Sequence, residues 1–214
     1  MCNKYAQKAP ASAFEEVSDQ LDLPFRIDAS AGNLEPREAI YPDQDAPVLT
    51  CEDGALTLTM MRWGFPPAGQ GKGPITNIRN LASPWWRNVN GEFLTGCAYR
   101  CLVPFSAFAE PVRDSTWFRV PGREAGYFAG IWRPWQGERL AEVPGKTRRA
   151  RTQGDWRLFA FLTTEANDIV RPVHEKAMPV ILTDPREWRQ WLGGGEASLA
   201  LQRPLENRLL EVVS

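Results

Sequence analysis

Short apolar stretches that alternate with polar residues recur along the whole chain, and long helical patterns do not separate them. ALTLTMMRWGF alternates over residues 55–65 and reads as a strand that stops at Trp63-Gly64. YRCLVPFSAFAEP, TWFRV, GYFAGIW, RLFAFLTT and AMPVILT are further strand candidates bounded by turn residues. Helical signals are few. Ser12 and Glu15 make an S-x-x-E capping box for a helix over 13–21, and Asp184 with Pro185 opens a short helix, PREWRQWL. The missing strand–helix–strand rhythm excludes a doubly wound parallel sheet. It predicts an α+β protein: a mainly antiparallel sheet, curled or barrel-like, with a few flanking helices. With 214 residues, 43% of them hydrophobic, the chain suffices for a single domain over 1–214 whose core needs neither disulfide nor metal. Residues 22–47 read as loop-rich, and the segment from Arg133 to Gly154 reads as a long polar loop between two strands.

Several function classes drop out on charge and spacing. The net charge of −1 gives no overall basic signature, so a face for nucleic acid has to be local. GQGKGP is a flexible loop lacking the glycines of a phosphate-binding fingerprint and the Gly-Lys-Ser/Thr that would follow. CAYRC and the single histidine offer neither a CxxC pair nor a second histidine, so no metal and no cofactor are expected. No apolar run approaches membrane-spanning length and no signal peptide precedes the four cysteines. Free thiols, a reducing cytoplasm, no membrane and a monomer are the expectation.

Cys2 stands directly after the initiator methionine. A small second residue permits removal of Met1, and Cys2 then carries an α-amine beside its thiol. Such a 1,2-aminothiol condenses with an aldehyde: the amine forms an imine and the thiol closes the ring to a thiazolidine. Read alone, Cys2 is equally an incidental thiol. Acid–base chemistry near neutral pH by an imidazole has one candidate, His174, in VRPVHEKAMPVIL before an apolar strand. Glu110 ends an apolar run, where partial desolvation raises a carboxyl pKa toward useful proton transfer. In GPITNIRNLASPWW, Asn77 and Arg79 share a face if the stretch is extended: Asn can orient a reacting group and Arg can hold a phosphate. Trp85 and Trp86 follow as base-stacking candidates or, alternatively, as core residues of a turn. Lys146, Arg148, Arg149 and Arg151 cluster in GKTRRARTQG, either as a solvated loop or as an arm that contacts phosphates.

Taken together, Cys2 after Met1, the N-x-R segment, the CLVP…F-x-E strand and the H…MPVIL segment resemble the SOS response-associated peptidase (SRAP) family. MRWGF, FAGIW and FLTTEAN extend the likeness from Met1 to about Leu192. The resemblance implies a sensor of abasic sites in single-stranded DNA, acting in the DNA-damage response and joined to the ring-opened sugar through a thiazolidine on Cys2. By motif, Asn77 positions the cysteine amine or the sugar, Glu110 is the general acid/base, His174 serves the sugar hydroxyl, and Arg79 meets the DNA backbone. The chain departs from the family pattern at Asn3 and Lys4, where Gly and Arg are common. It departs again at Asn80-Leu81 in place of a glutamate, at Pro111 in place of a tryptophan, and in the spacing of HEKAMP.

Two other readings stay open on sequence. A cysteine peptidase, even one that removes its own Met1, could use Cys2, His174 and Glu110. A non-catalytic single-stranded DNA-binding module would need only Arg79 and the Arg148–Arg151 group.

Overall fold

The computed structural model describes residues 2–67, 73–111, 114–141 and 148–213. Fourteen strands are present among them. They are β1 (Tyr5–Gln7), β2 (Phe25–Ile27), β3 (Arg37–Ile40), β4 (Asp45–Glu52), β5 (Ala55–Trp63), β6 (Asn77–Ile78) and β7 (Arg100–Phe105). The rest are β8 (Ala107–Glu110), β9 (Thr116–Arg119), β10 (Gly126–Ala141), β11 (Ala150–Thr164), β12 (Met178–Pro179), β13 (Ile181–Leu182) and β14 (Glu211–Val213). The α-helices are short: α1 (Glu15–Leu21), α2 (Gly91–Thr95) and α3 (Pro185–Leu192).

The pairings β7–β4, β4–β5 and β7–β10–β11 are antiparallel, and a parallel pairing of β11 with β5 closes these five strands into a barrel. A second sheet runs β14-β9-β8-β1-β3. The α+β, mainly antiparallel, barrel-like reading of the sequence therefore holds. Closure leaves the ring of five without an open edge.

Strand alternation sorts the apolar side chains into two clusters. Leu56, Leu58, Leu102, Leu158 and Leu162 pack with Val17 and Leu21 of α1 and Trp188 and Trp191 of α3. The alternate positions, among them Trp63, Val103, Phe128, Phe159 and Phe161, pack with Cys2, Tyr5, Phe108 and Phe118 of the second sheet. Tyr5 meets Trp63, Phe128 and Phe161 edge-on, with ring centroids 5.1, 5.7 and 6.3 Å apart. Such pairs contribute about 0.5–1.5 kcal/mol each beyond their burial. That anchors β1, a three-residue strand that would not persist alone.

Three local readings are corrected. Residues 133–141 and 150–154 are strand rather than loop, and 142–147 lie outside the described residues. β10 and β11 continue as a two-stranded arm, paired without a break from Gly130↔Phe161 to Ala141↔Ala150. Pro134, Gly137, Gly154 and the charges look like loop residues because few of the arm's side chains reach the core, Trp135 and Trp156 among them. What holds it is cross-strand: Trp135 lies opposite Trp156, whose indole N–H donates to the Gly137 carbonyl at 2.9 Å. The Trp135 ring covers Gly137 so closely that a Cβ there would sit 2.2 Å from it. The second correction is at the first helix, which begins with a 3₁₀ turn over Ala11–Phe14 and has no side-chain cap, so Ser12 and Glu15 do not form the expected box. Third, the stretch before Pro47 is not all loop, because β2, β3 and the start of β4 lie in it. At α3 the expectation holds, with Asp184 and Glu187 completing a reciprocal capping box.

Candidate active site

Strand register brings the site together. β1 pairs antiparallel with β8, Tyr5 opposite Phe108, and the Ala109 amide donates to the Lys4 carbonyl at 3.0 Å. Two residues beyond Phe108, Glu110 falls on the same buried face, beside the residues that precede Tyr5. Glu110 is 1% exposed and so is Cys2. The Cys2 thiol lies 3.6 Å from the Lys4 carbonyl. Burial pushes that thiol well above its ordinary pKa, and the Glu110 charge pushes it further. The thiol is therefore protonated at rest and needs a base to act as a nucleophile.

Asn77 reaches the same place from another direction. β6 runs parallel to β11, Asn77 beside Phe161, and its side chain is buried. Its Nδ2 donates to the Cys2 carbonyl at 2.8 Å and to Thr76 Oγ1 at 2.8 Å. Burial raises the pKa of Glu110, while nearby positive charge, His174 included, pulls it back down. A buried carboxyl whose pKa is raised holds its proton more readily and can serve as a proton donor. His174 follows a turn whose carbonyl, from Val170, accepts the His174 amide at 2.9 Å. Its Nδ1 is engaged by the backbone of Ala177, 2.9 Å from the carbonyl and 3.2 Å from the amide nitrogen.

The structure thus gathers Cys2, Asn77, Glu110 and His174. The remaining candidates divide. Arg79 lies just past β6 and is exposed, so it does not share a face with buried Asn77. Its backbone carbonyl accepts from Gln202 at 2.8 Å. Trp86 is corrected: it is 5% exposed and packs on Phe65 at 5.7 Å, so its faces are closed to a base. Trp85 is half-buried, meets Trp86 edge-on and packs against the same core. Arg148 is exposed near the end of the arm, and Arg151 lies 3.6 Å from Glu138 across the hairpin. Arg149 donates to the Asp43 and Leu140 carbonyls and pairs with the Asp43 carboxylate. Asp43 also holds Arg139 at 3.1 Å and Arg62 at 3.6 Å. Lys146 lies outside the described residues.

Sequence reasoning missed Asn3 and Thr76 as members of the site. Thr76 Oγ1 donates to Asn3 Oδ1 at 2.9 Å. Among the described residues, no group of three or more His, Cys, Asp or Glu side chains could hold a metal ion, and no helix is long and apolar enough to cross a membrane.

The family model described as SOS response associated peptidase (SRAP) matches residues 1–213. The chain belongs to the SRAP family. Similar solved structures agree on the fold of this SRAP chain. A Bacteroides thetaiotaomicron protein superposes with a TM-score of 0.68 at 17% identity, covering 100% of this chain and 92% of its own. A Bordetella bronchiseptica protein gives 0.67 at 18% identity with both chains fully covered. A phage-related protein from the same organism gives 0.59 at 21% identity, covering 99% and 93%. A search of curated proteins returned no match. In this SRAP chain the Pro111 departure sits beside the site: Pro111 is exposed and follows Glu110 through a cis peptide bond.

Proposed function

We propose that this SRAP protein senses abasic sites in single-stranded DNA by joining Cys2 covalently to the sugar aldehyde. The observation that carries the reading is the meeting of buried Cys2 and Glu110 with half-buried His174 in electrostatic reach, and Asn77 holding the Cys2 carbonyl. Once Met1 is removed, the Cys2 α-amine has a reference pKa of about 7.7–8.0, so a useful fraction is neutral at pH 7. The amine nitrogen attacks the aldehyde carbon, and Glu110 delivers the proton with which water leaves. The thiol then adds across the imine, sulfur to carbon and proton to nitrogen, and the net change is loss of one water. The buried thiol is unreactive until a neighbouring base accepts its proton, so the amine acts first and the thiol second. His174 assists opening of the closed sugar at its hydroxyl. Arg79 and the arm residues Arg148, Arg149 and Arg151 contact DNA phosphates. An abasic sugar presents no base to be flipped out of the way, which suits a single strand.

Peptidase chemistry in trans fits less well, because an enzyme acting on other polypeptides needs no nucleophile at position 2, whereas thiazolidine formation needs the freed amine there. Self-removal of Met1 is the form of it compatible with that position.

Denaturing electrophoresis with a single-stranded oligonucleotide carrying one abasic site tests the reading. The protein gives a band that survives denaturation, and Cys2→Ala gives none. An equal band from Cys2→Ala, or none from the parent protein, would falsify it. Salt-sensitive binding that is unchanged in Cys2→Ala and yields no adduct identifies a non-catalytic module instead.

A further inference from the structure

Two side chains beside Cys2 have no part in the chemistry above, yet they decide how Asn77 stands. Asn77 Nδ2 donates to the Cys2 carbonyl and to Thr76 Oγ1, each at 2.8 Å. Thr76 Oγ1 donates to Asn3 Oδ1 at 2.9 Å, and Asn3 Oδ1 lies 3.4 Å from Asn77 Nδ2. A hydroxyl has one proton to give. With that proton committed to Asn3, the Thr76 oxygen is an acceptor, and only the NH₂ end of the Asn77 amide satisfies it. Without Asn3, the hydroxyl could turn to donate to the oxygen of a flipped Asn77, and the Cys2 carbonyl alone would hold the amide against that flip. In the observed orientation Asn77 Oδ1 is buried with no hydrogen-bond partner among the described residues. A network built for stability alone would satisfy both ends of the amide. This one satisfies the nitrogen and leaves the oxygen to receive a donor.

We propose that Asn3 and Thr76 are positioning residues: together they lock the Asn77 amide so that its nitrogen holds the Cys2 carbonyl and its oxygen accepts an N–H or O–H of the reacting pair. The donor is the Cys2 amine or the hydroxyl of the opened sugar. The inference rests on the reading under Proposed function. It assigns a role to Asn3, one of the positions at which this chain departs from the SRAP pattern, and to its partner Thr76.

The test uses the full-length protein with Cys2 freed, in single-turnover reactions with the abasic oligonucleotide. Asn3→Ala and Thr76→Val should each slow adduct formation roughly tenfold, as expected for a misoriented group rather than a lost one. Thr76→Ser, which keeps the hydroxyl, should restore the rate. Non-covalent affinity for the same strand carrying a tetrahydrofuran abasic analogue, which has no aldehyde, should stay within twofold of the parent. Asn3→Asp keeps the acceptor and puts a carboxylate near the amine, so the rising limb of the pH–rate profile should move to higher pH. Parent-like rates in Asn3→Ala and Thr76→Val overturn the proposal. So do slow rates matched by an equal loss of affinity for the analogue and left unrescued by Thr76→Ser. If the parent protein itself forms no adduct, the proposed function fails, and the positioning role is decided by NMR of the Asn77 side-chain amide. Two protected, well-separated protons that become equivalent or fast-exchanging in Thr76→Val support the lock; an unchanged amide pair sinks it.

Discussion

Cys2 and Cys101 lie in one hydrophobic cluster, both essentially closed to solvent, and burial raises the pKa of both thiols. Their surroundings differ. Cys101 sits inside β7 in the barrel wall, opposite Gly130, where an added Cβ would lie 2.6 Å from its sulfur. The charges that reach it come from Arg100 and Arg157, and no carboxylate is among them. Cys2 stands ahead of β1, with Glu110 in electrostatic reach and its carbonyl held by Asn77. Burial by itself makes an inert thiol that fills space. In the function proposed above, a buried acid, an imidazole and an amine freed at Cys2 make the same side chain part of a site.

Exchanging the two cysteines one at a time gives the largest effect. Cys2→Ala should abolish the covalent adduct and, since Cys2 is buried in the same cluster, cost ~1–2 kcal/mol of stability. Cys101→Ala should leave the adduct intact and cost about 1–2 kcal/mol of stability through the cavity it opens. Loss of the adduct in Cys101→Ala, on a folded protein, would break the comparison.

Glu110→Gln should slow adduct formation about 10²–10⁴-fold, the usual worth of a positioned acid or base. Its stability should move the other way. The Glu110 pKa is raised by burial, so the folded protein holds this proton more tightly than the unfolded chain. The stability this contributes is full below the unfolded carboxyl pKa of about 4.3 and is lost as pH rises through the raised folded value. Thermal melts across that window should fall more steeply with pH in the parent than in Glu110→Gln. A variant that loses stability at pH 8 would place Glu110 among the structural residues.

A smaller change is expected of His174→Gln: a slowing of adduct formation of about 10²-fold. A parent-like rate would remove the imidazole from the mechanism. Smallest is the arm. Arg148→Ala, Arg149→Ala and Arg151→Ala combined should weaken single-stranded DNA binding regardless of sequence or damage. The salt dependence of log affinity should become shallower by about 0.7 for each arginine that meets a phosphate. Affinity and slope equal to the parent's would leave the arm without a role in DNA binding.

The sequence carries the barrel because strands buried on both faces read as short apolar runs bounded by turn residues, as in β5, β7 and the first half of β10. The same logic explains the failure at the arm. Beyond Arg133, which lies opposite Leu158, the described strands of β10 and β11 pair with each other alone, and little in their composition separates them from a loop. AMPVILT is a single run in sequence, yet Met178–Pro179 pairs with β11 and Ile181–Leu182 with β10, a change of partner that no local pattern encodes. At the site, Cys2, Asn77, Glu110 and His174 were legible because each is an unusual residue type in its setting and because their order resembles a known family. The Asn3–Thr76 link was not, since it joins residues far apart in the chain through one hydroxyl proton. Trp86 was misplaced for the converse reason: an aromatic pair beside an arginine reads alike whether it faces DNA or, as here, Phe65.

The central claim is that Cys2 stands second so that its amine can be freed for an aldehyde. Intact mass spectrometry, before and after incubation with a single-stranded oligonucleotide bearing one abasic site, tests it most directly. The account predicts a protein lacking Met1 and a denaturation-proof product at the summed mass of protein and oligonucleotide less one water. A protein lacking Met1 that stays at its own mass after incubation would contradict it.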